Sequence, residues 1–268
     1  MKLKIIEYNL LDGFFDRNEE NILVPNENRK NAAQEIMKKE NPDILILTEA
    51  DHTKNKRFSQ DYKKIFNYPY GFFASKKLPH RDFGIGILSK FPIVEKEKIL
   101  LPKSRWIKTS IKINGKIIYV DAVHPNSHNT IEEKEDLFKD LIGRKKNPFI
   151  VAGDFNAIHP EDKYNKKDLL KNFSRKFGDK QKAENVVEEI LKAKIIKFLL
   201  KQDLIDTYKE KNKKQDYSYH TKLRGNNMMR IDYIFCSKEF KVLNSGIIKN
   251  KLTEEASDHY PIFAELEI

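Results

Sequence analysis

At 268 residues, 39% hydrophobic and 34% charged, the chain has the length and composition of a globular protein with one domain or two small ones. No stretch reaches the roughly eighteen apolar residues of a membrane helix, and Met1-Lys-Leu-Lys-Ile-Ile-Glu-Tyr8 carries charge where a signal peptide has an apolar core. The lone Cys236 excludes an intramolecular disulfide and a cysteine-based zinc site, so a cytoplasmic monomer with no membrane span is expected. The formal charge of +11 fits a polyanionic partner such as nucleic acid or an anionic lipid head group, and fits equally a lysine-rich composition with no bearing on ligand.

Along the chain, Leu3–Tyr8 reads as a strand that ends on Asn9. Asn28–Glu40 reads as a helix, with Ala32, Ala33, Ile36 and Met37 on one face. Asn41-Pro42 stops it, because the residue before proline disfavours the helical region. Asp43–Thr48 follows as a buried strand. Ile85–Leu88 and Ile93–Ile99 flank the turn Ser89–Pro92. Trp106–Ile113 and Lys116–Val123 meet at Asn114-Gly115, a pair suited to a two-residue hairpin turn with positive φ at both positions. Phe149–Ala152 is a short apolar strand. Glu161–Glu210 reads as helical, with Val187, Leu191, Ile195, Phe198 and Leu199 on one face. Ile231–Phe235, Val242–Ile248 and Ile262–Leu266 complete the set. Strands and helices interleave throughout, which favours one layered α/β sandwich over residues 1–268.

Polar residues close several of these strands. Ile150-Val-Ala-Gly-Asp154-Phe-Asn156 delivers an Asp and an Asn two residues apart, on one face if the chain stays extended. Such a pair orients or deprotonates a water and donates to a phosphate oxygen; it equally forms an Asx turn that closes the strand. Ser257-Asp258-His259 places a carboxylate beside an imidazole. Asp232, in the apolar segment Arg230-Ile-Asp-Tyr-Ile-Phe235, needs a partner, because burying a lone carboxylate costs several kcal/mol; His259 is the candidate. Glu49 ends a run of four aliphatic residues, Asn9 ends the first strand, and His124 and Asn126 close another. Singly, each of these is more often structural than functional.

Taken in order, Tyr8-Asn9, Thr48-Glu49, Gly84-Ile-Gly-Ile-Leu-Ser-Lys-Phe-Pro-Ile93, His124, Gly153-Asp-Phe-Asn156, Arg230-Ile-Asp-Tyr-Ile234 and Ser257-Asp-His259 resemble the endonuclease/exonuclease/phosphatase superfamily. The resemblance implies a four-layer sandwich of two packed, mostly antiparallel sheets flanked by helices, as in deoxyribonuclease I. It implies Mg²⁺, with Mn²⁺ as a substitute, held mainly by Glu49, with Asn9 and Asp258 near the ion. It implies Asp154 activating water, Asn156 and His124 binding phosphate, and His259 on the scissile phosphate, oriented by Asp232. The abasic-endonuclease branch carries an Asp where this chain has Leu11, with Asp12 one residue later, and a Tyr where it has His124. The inositol 5-phosphatase branch carries a Trp before its Gly-Asp and a Cys before its later Asp; this chain has Val151-Ala152 and Ile231.

Tyr217, Tyr219, Arg224 and Arg230 precede Asp232 and suit a nucleic-acid strand, by stacking and phosphate pairing. They suit equally a loop anchored by its tyrosines. His52, His128, His159 and His220 read as surface or loop histidines. The leading expectation is a metal-dependent phosphodiesterase acting on DNA or RNA. Its rivals are a phosphoesterase of lipid or inositol phosphate head groups and a non-catalytic binding module on the same scaffold.

Overall fold

The computed structural model describes residues 1–50, 61–77, 82–101, 104–127, 129–219, 223 and 228–268. The chain runs through β1 (Lys2–Asn9), the four-residue turn α1 (Leu11–Phe14), a hairpin of β2 (Phe15–Arg17) and β3 (Leu23–Pro25), α2 (Glu27–Glu40), β4 (Ile44–Thr48) and α3 (Tyr62–Phe66). Next come β5 (Tyr70–Lys77), β6 (Asp82–Ser89), β7 (Ile93–Leu100), β8 (Ser104–Ile113), β9 (Lys116–Pro125), α4 (Ile131–Gly143) and β10 (Phe149–Asp154). Three helices follow, α5 (Lys166–Phe177), α6 (Lys180–Leu191) and α7 (Lys194–Leu200), then β11 (Leu204–Asp206), α8 (Thr207–Lys211), β12 (Asp232–Ser237), β13 (Lys241–Ile247), α9 (Lys251–Ala256) and β14 (Ile262–Glu267).

The strands form two six-stranded sheets, ordered β13-β14-β1-β4-β6-β5 and β11-β12-β10-β9-β8-β7. Each has one parallel pair, β1 with β4 and β9 with β10. A parallel pair needs a crossover, and α2 and α4 lie on those two connections. Apolar residues at alternate strand positions fill the space between the sheets, among them Ile5, Ile46, Ile87, Val120, Ala152 and Ile234. Tyr8, Leu45 and Leu47 on the outside of the first sheet pack on Ala33 and Ile36 of α2. Val151 and Phe235 on the outside of the second pack with Leu137, Phe138 and Leu141 of α4 and Ile195 and Leu199 of α7. The result is helix, sheet, sheet, helix, as the resemblance implies.

Local sequence chemistry sets the element ends. Asn26 caps α2 by accepting from the Arg29 N–H at 3.0 Å, and Asn41 ends the helix in the left-handed region at φ 46°. Asn114 and Gly115 take φ of 49° and 83°, closing the β8–β9 hairpin. The turn Ser89–Pro92 joins strands of different sheets, β6 and β7. Two sequence expectations change. The helical stretch Glu161–Glu210 is broken at Gly178 and again at Ala193, both left-handed, and contains the strand β11. Its proposed single face therefore splits: Val187 packs within the α5–α6 hairpin, while Ile195 and Leu199 pack under the second sheet.

The same alternation places the polar residues. The inward positions of β1 are Leu3, Ile5, Glu7 and Asn9; those of β10 are Ile150, Ala152 and Asp154; those of β9 end on Ala122 and His124. On β12 the inward series starts at Asp232 before Ile234 and Cys236, and Asp232 pairs in register with Asp154. At one end of the sandwich the inter-sheet core therefore turns from aliphatic to acid, amide and imidazole.

Candidate active site

Gly153 makes the close approach of β9 and β10 possible. A Cβ there would lie 1.8 Å from the Val123 carbonyl oxygen, so any side chain would force the strands apart just before Asp154 and His124. Asp154 then sits buried at the head of β10. Its Oδ1 accepts the Asn156 backbone N–H at 2.8 Å, an Asx turn. Its Oδ2 accepts from Asn9 Nδ2 at 3.2 Å and lies 3.6 Å from His124 Nε2 and 3.9 Å from His259 Nε2. Burial, together with Asp232 and Glu49 and against the His259 imidazolium, pushes the Asp154 carboxyl up to about 8.

His259 is fixed from behind. Its Nδ1 bonds Asp232 Oδ2 at 2.8 Å, and that oxygen also accepts from Ser218 Oγ at 2.6 Å. Ser218 in turn accepts the backbone N–H groups of Ile231 and Asp232, both at 3.2 Å. Burial works against a charged imidazole, but Asp232, Asp258 and Asp154 outweigh it and hold His259 protonated well above the ordinary range. The Tyr219 ring packs on His259 with centroids 4.7 Å apart.

Glu49 and Asp258 line the same cleft, of about 240 Å³, as His124, Asp154 and His259. Glu49 Oε2 accepts the Asp12 N–H at 3.1 Å, and Asn9 Oδ1 accepts the Leu11 N–H at 3.0 Å. These bonds hold a left-handed turn, with φ of 50°, 53°, 63° and 69° from Leu11 to Phe14. L-residues resist this region, and only Gly13 is free of that penalty. Asp12, absent from the sequence-based site, thus joins Glu49 in the cleft.

The donor set fits a hard divalent cation. Asp12, Glu49, Asp154 and Asp258 supply carboxylate oxygens to one cleft, and a cation there would offset the burial and the neighbouring Asp232 and Glu49 charges that raise Asp154. Asp154, Asp232 and His259 also place one ligand atom each within 4.8 Å of one another. That grouping is better read as a hydrogen-bonded chain than as a chelate, because Asp232 Oδ2 is already committed to His259 and Ser218.

Asn126, Asn156 and Tyr219 also line the cleft. Asn156 departs from the expected extended pair: its φ is 47°, and its Nδ2 donates to the Pro125 carbonyl at 2.9 Å. Arg230 is a correction. It is 1% exposed; its Nη1 bonds Asp206 Oδ2 at 2.8 Å and its Nε bonds Asp162 Oδ2 at 3.3 Å, so it anchors the loop from within and does not face a ligand. His159, expected at the surface, is buried beside Asp206. Arg224, His52, His128 and His220 lie outside the described residues.

Two buried residues were not singled out from sequence. Lys134 lines the cleft and donates from Nζ to the Asn156 carbonyl at 2.8 Å; burial lowers it to about 8 while Asp154 opposes the shift. It is the one charged member of the α4 stripe Lys134, Leu137, Phe138 and Leu141, a signal present in the spacing. Glu7 lies beneath Asn9, accepts from Thr48 Oγ1 at 3.0 Å, and is pushed well above the ordinary carboxyl range by burial, Asp232 and Asp154. A lone acid inside an aliphatic strand was its only signal.

The fold has relatives of known structure. An endonuclease/exonuclease/phosphatase protein from Beutenbergia cavernae superimposes with a TM-score of 0.71 at 16% identity, over 100% of this chain and 72% of that one. A family protein from Leptotrichia buccalis gives 0.67 at 19% identity, over 99% of this chain and 100% of that one. The 3′ phosphatase NExo from Neisseria, solved bound to a product DNA hairpin, gives 0.67 at 18% identity over 99% and 100%. No curated protein matches the chain in sequence. From residue 17 to residue 259, a span that ends on the cleft histidine itself, the sequence matches the Endonuclease/Exonuclease/phosphatase family, and the chain belongs to that family.

Proposed function

We propose that the chain hydrolyses phosphodiester bonds of nucleic acid by direct attack of water, with a divalent cation, Mg²⁺ or Mn²⁺, held by Glu49 with Asn9 and Asp258. The observation that carries this reading is Asp154 Oδ2, a buried carboxylate oxygen facing Asn9, His124 and His259 at 3.2, 3.6 and 3.9 Å in a cleft shared with Glu49 and Asp258.

Asp154 accepts a proton from the attacking water as oxygen bonds to phosphorus and the bond to the leaving oxygen breaks. His259, held as an imidazolium by Asp232, donates from Nε2 to a phosphoryl oxygen as charge builds there. His124 and Asn9 hold the Asp154 carboxylate in place, and Asn156 closes the turn that aims it. Lys134 adds positive charge beside the phosphate. When bound, the cation offsets charge on the phosphoryl and leaving oxygens. Nucleic acid as the substrate draws support from the +11 charge, from Tyr219 lining the cleft, and from the DNA bound to the Neisseria relative.

The test is kcat/KM on single- and double-stranded DNA, RNA, sphingomyelin, inositol phosphates and simple monoesters, with metal and with excess chelator. Activity should vanish with chelator. Asp154→Asn and His259→Ala should each lose about 100-fold or more in turnover with an unchanged fold. Near-normal turnover by either variant removes that residue's role. A preference of about tenfold for a lipid, inositol or monoester substrate overturns the nucleic-acid assignment.

A further inference from the structure

The cleft extends beyond the catalytic residues. Its far wall comes from the α5–α6 hairpin, where Phe173, Phe177, Val186 and Ile190 face the cleft alongside Ile158. A second groove of about 460 Å³ shares Phe177, Val186, Ile190, Ala157, Asn156 and Lys134 with it, so the two adjoin along a common wall. The hairpin is held against the site by its own small core, in which Leu169, Ala183 and Val187 pack with Met229 and Ile231. Polar groups share the groove's lining: Ser127, Asn129, Thr130 and Asn185 bring hydroxyl and amide groups, and Glu132, Glu189, Lys182 and Lys194 bring charged ones.

We propose that this groove is a nucleobase subsite, which takes the base of the nucleotide next to the scissile phosphate. The inference rests on the nuclease reading and specifies how substrate is held. A base is flat and apolar on its faces and carries donors and acceptors around its edge, and the groove brings together both kinds of surface: the aliphatic and aromatic Phe177, Val186 and Ile190, and amide and hydroxyl groups beside them. An inositol ring or a bare sugar phosphate would leave the Phe177, Val186 and Ile190 walls unfilled. The order of groups also matches a nucleotide. Lys134 sits at the seam, lining both the cleft that holds Asp154 and the groove beyond it, where phosphate gives way to base.

The experiment uses the full chain, a cation and a set of oligonucleotides in which each nucleotide in turn is replaced by an abasic tetrahydrofuran unit. One replacement, adjacent to the cleaved bond, should lower kcat/KM by about tenfold or more. Val186→Trp, which fills the groove, should bring the ratio of intact to abasic substrate close to one; Ile190→Trp serves the same purpose if the first variant melts early. Cleavage that is indifferent to every abasic replacement overturns the subsite and leaves the nuclease reading standing. A ratio that stays at its wild-type value in a folded, groove-filled variant does the same. Cleavage of no oligonucleotide at all removes both.

Discussion

Asp121, on the outer face of β9, shows how burial alone reshapes a carboxylate outside the active site. It is 1% exposed and accepts from Trp106 Nε1 at 2.9 Å. Burial raises it to about 7; the Trp106 bond and Lys108 oppose the rise and Glu97 adds to it. A carboxyl whose folded value lies above its unfolded 3.8 binds its proton more tightly in the folded chain. Its stabilising effect is complete below about pH 4 and is lost as pH climbs through 7. Asp121→Asn stays neutral throughout and still accepts from Trp106. Its melting temperature should therefore gain on wild type as pH rises from about 4 to 7, with the gap constant above that. The gain should reach up to a few kcal/mol, at about 1.4 kcal/mol per unit of pKa. Melting curves that run parallel across that range would show that Asp121 ionises in the folded chain as it does in water.

Arg29 acts on whole elements. Its guanidinium, 3% exposed on the inner face of α2, donates to the carbonyls of Leu10, Leu11, Phe15 and Ala256 at 2.8, 2.8, 3.1 and 3.0 Å and to Asp16 Oδ1 at 2.7 Å. Leu10 and Leu11 lead into the left-handed turn, and Ala256 ends α9 just before Ser257-Asp258-His259. One planar fork thus ties together the two loops that bring Asn9, Asp12, Asp258 and His259 to the cleft. A left-handed turn costs about 1–2 kcal/mol per non-glycine residue, and these bonds offset it. Arg29→Ala should destabilise the chain by about 3–5 kcal/mol in urea unfolding, and Arg29→Lys should recover only part, since an ammonium cannot span four carbonyls. A loss below about 1 kcal/mol for Arg29→Ala would place the stability of the turn elsewhere. Arg29 begins the stripe that continues through Ala32, Ala33, Ile36 and Met37, as Lys134 begins the stripe of α4. In α2 the apolar positions were legible from the 3.6-residue period; the α4 stripe has the same spacing but was not read as a helix, and nothing in the spacing marks the basic residue that opens each stripe as buried. The strand-end residues Asn9, Glu49 and Asp154 were legible because each interrupts or follows aliphatic sequence, and Asp258 because it sits beside His259 just before the last strand. The strands β2, β3 and β11 were not, since three residues carry too little period-2 pattern; β5 (Tyr70–Lys77) was also not read, and Glu7 and Ser218 were not because their burial depends on a partner sheet or loop distant in sequence.

At the scale of the molecule, the +11 charge has to be divided before it argues for a polyanion. Arg29 and Arg230 spend their charge on buried carbonyls and carboxylates, and Lys4, Lys209 and Lys238 pair with Glu40, Asp162 and Asp203 at 2.7, 2.6 and 2.6 Å. Among the described residues, the lysines that line the cleft and the groove beside it are Lys134, Lys182 and Lys194, and Lys194 already lies 3.6 Å from Glu189. Three lysines contacting phosphates release counterions with a log–log slope of roughly −0.7 to −0.9 each. The affinity for an oligonucleotide, measured at substrate concentrations well below KM across a range of salt, should then follow a slope of about −2 to −3, with the Lys194 share reduced by its pairing. Lys182→Ala should make the slope shallower by about one while leaving the rate on a short dinucleotide nearly unchanged, because the dinucleotide carries no further phosphates to reach it. A slope near zero for long strands would mean that the basic excess is compositional and that strand binding rests on the cleft alone. A slope far steeper than −3 would place most of the phosphate contacts on lysines beyond this face.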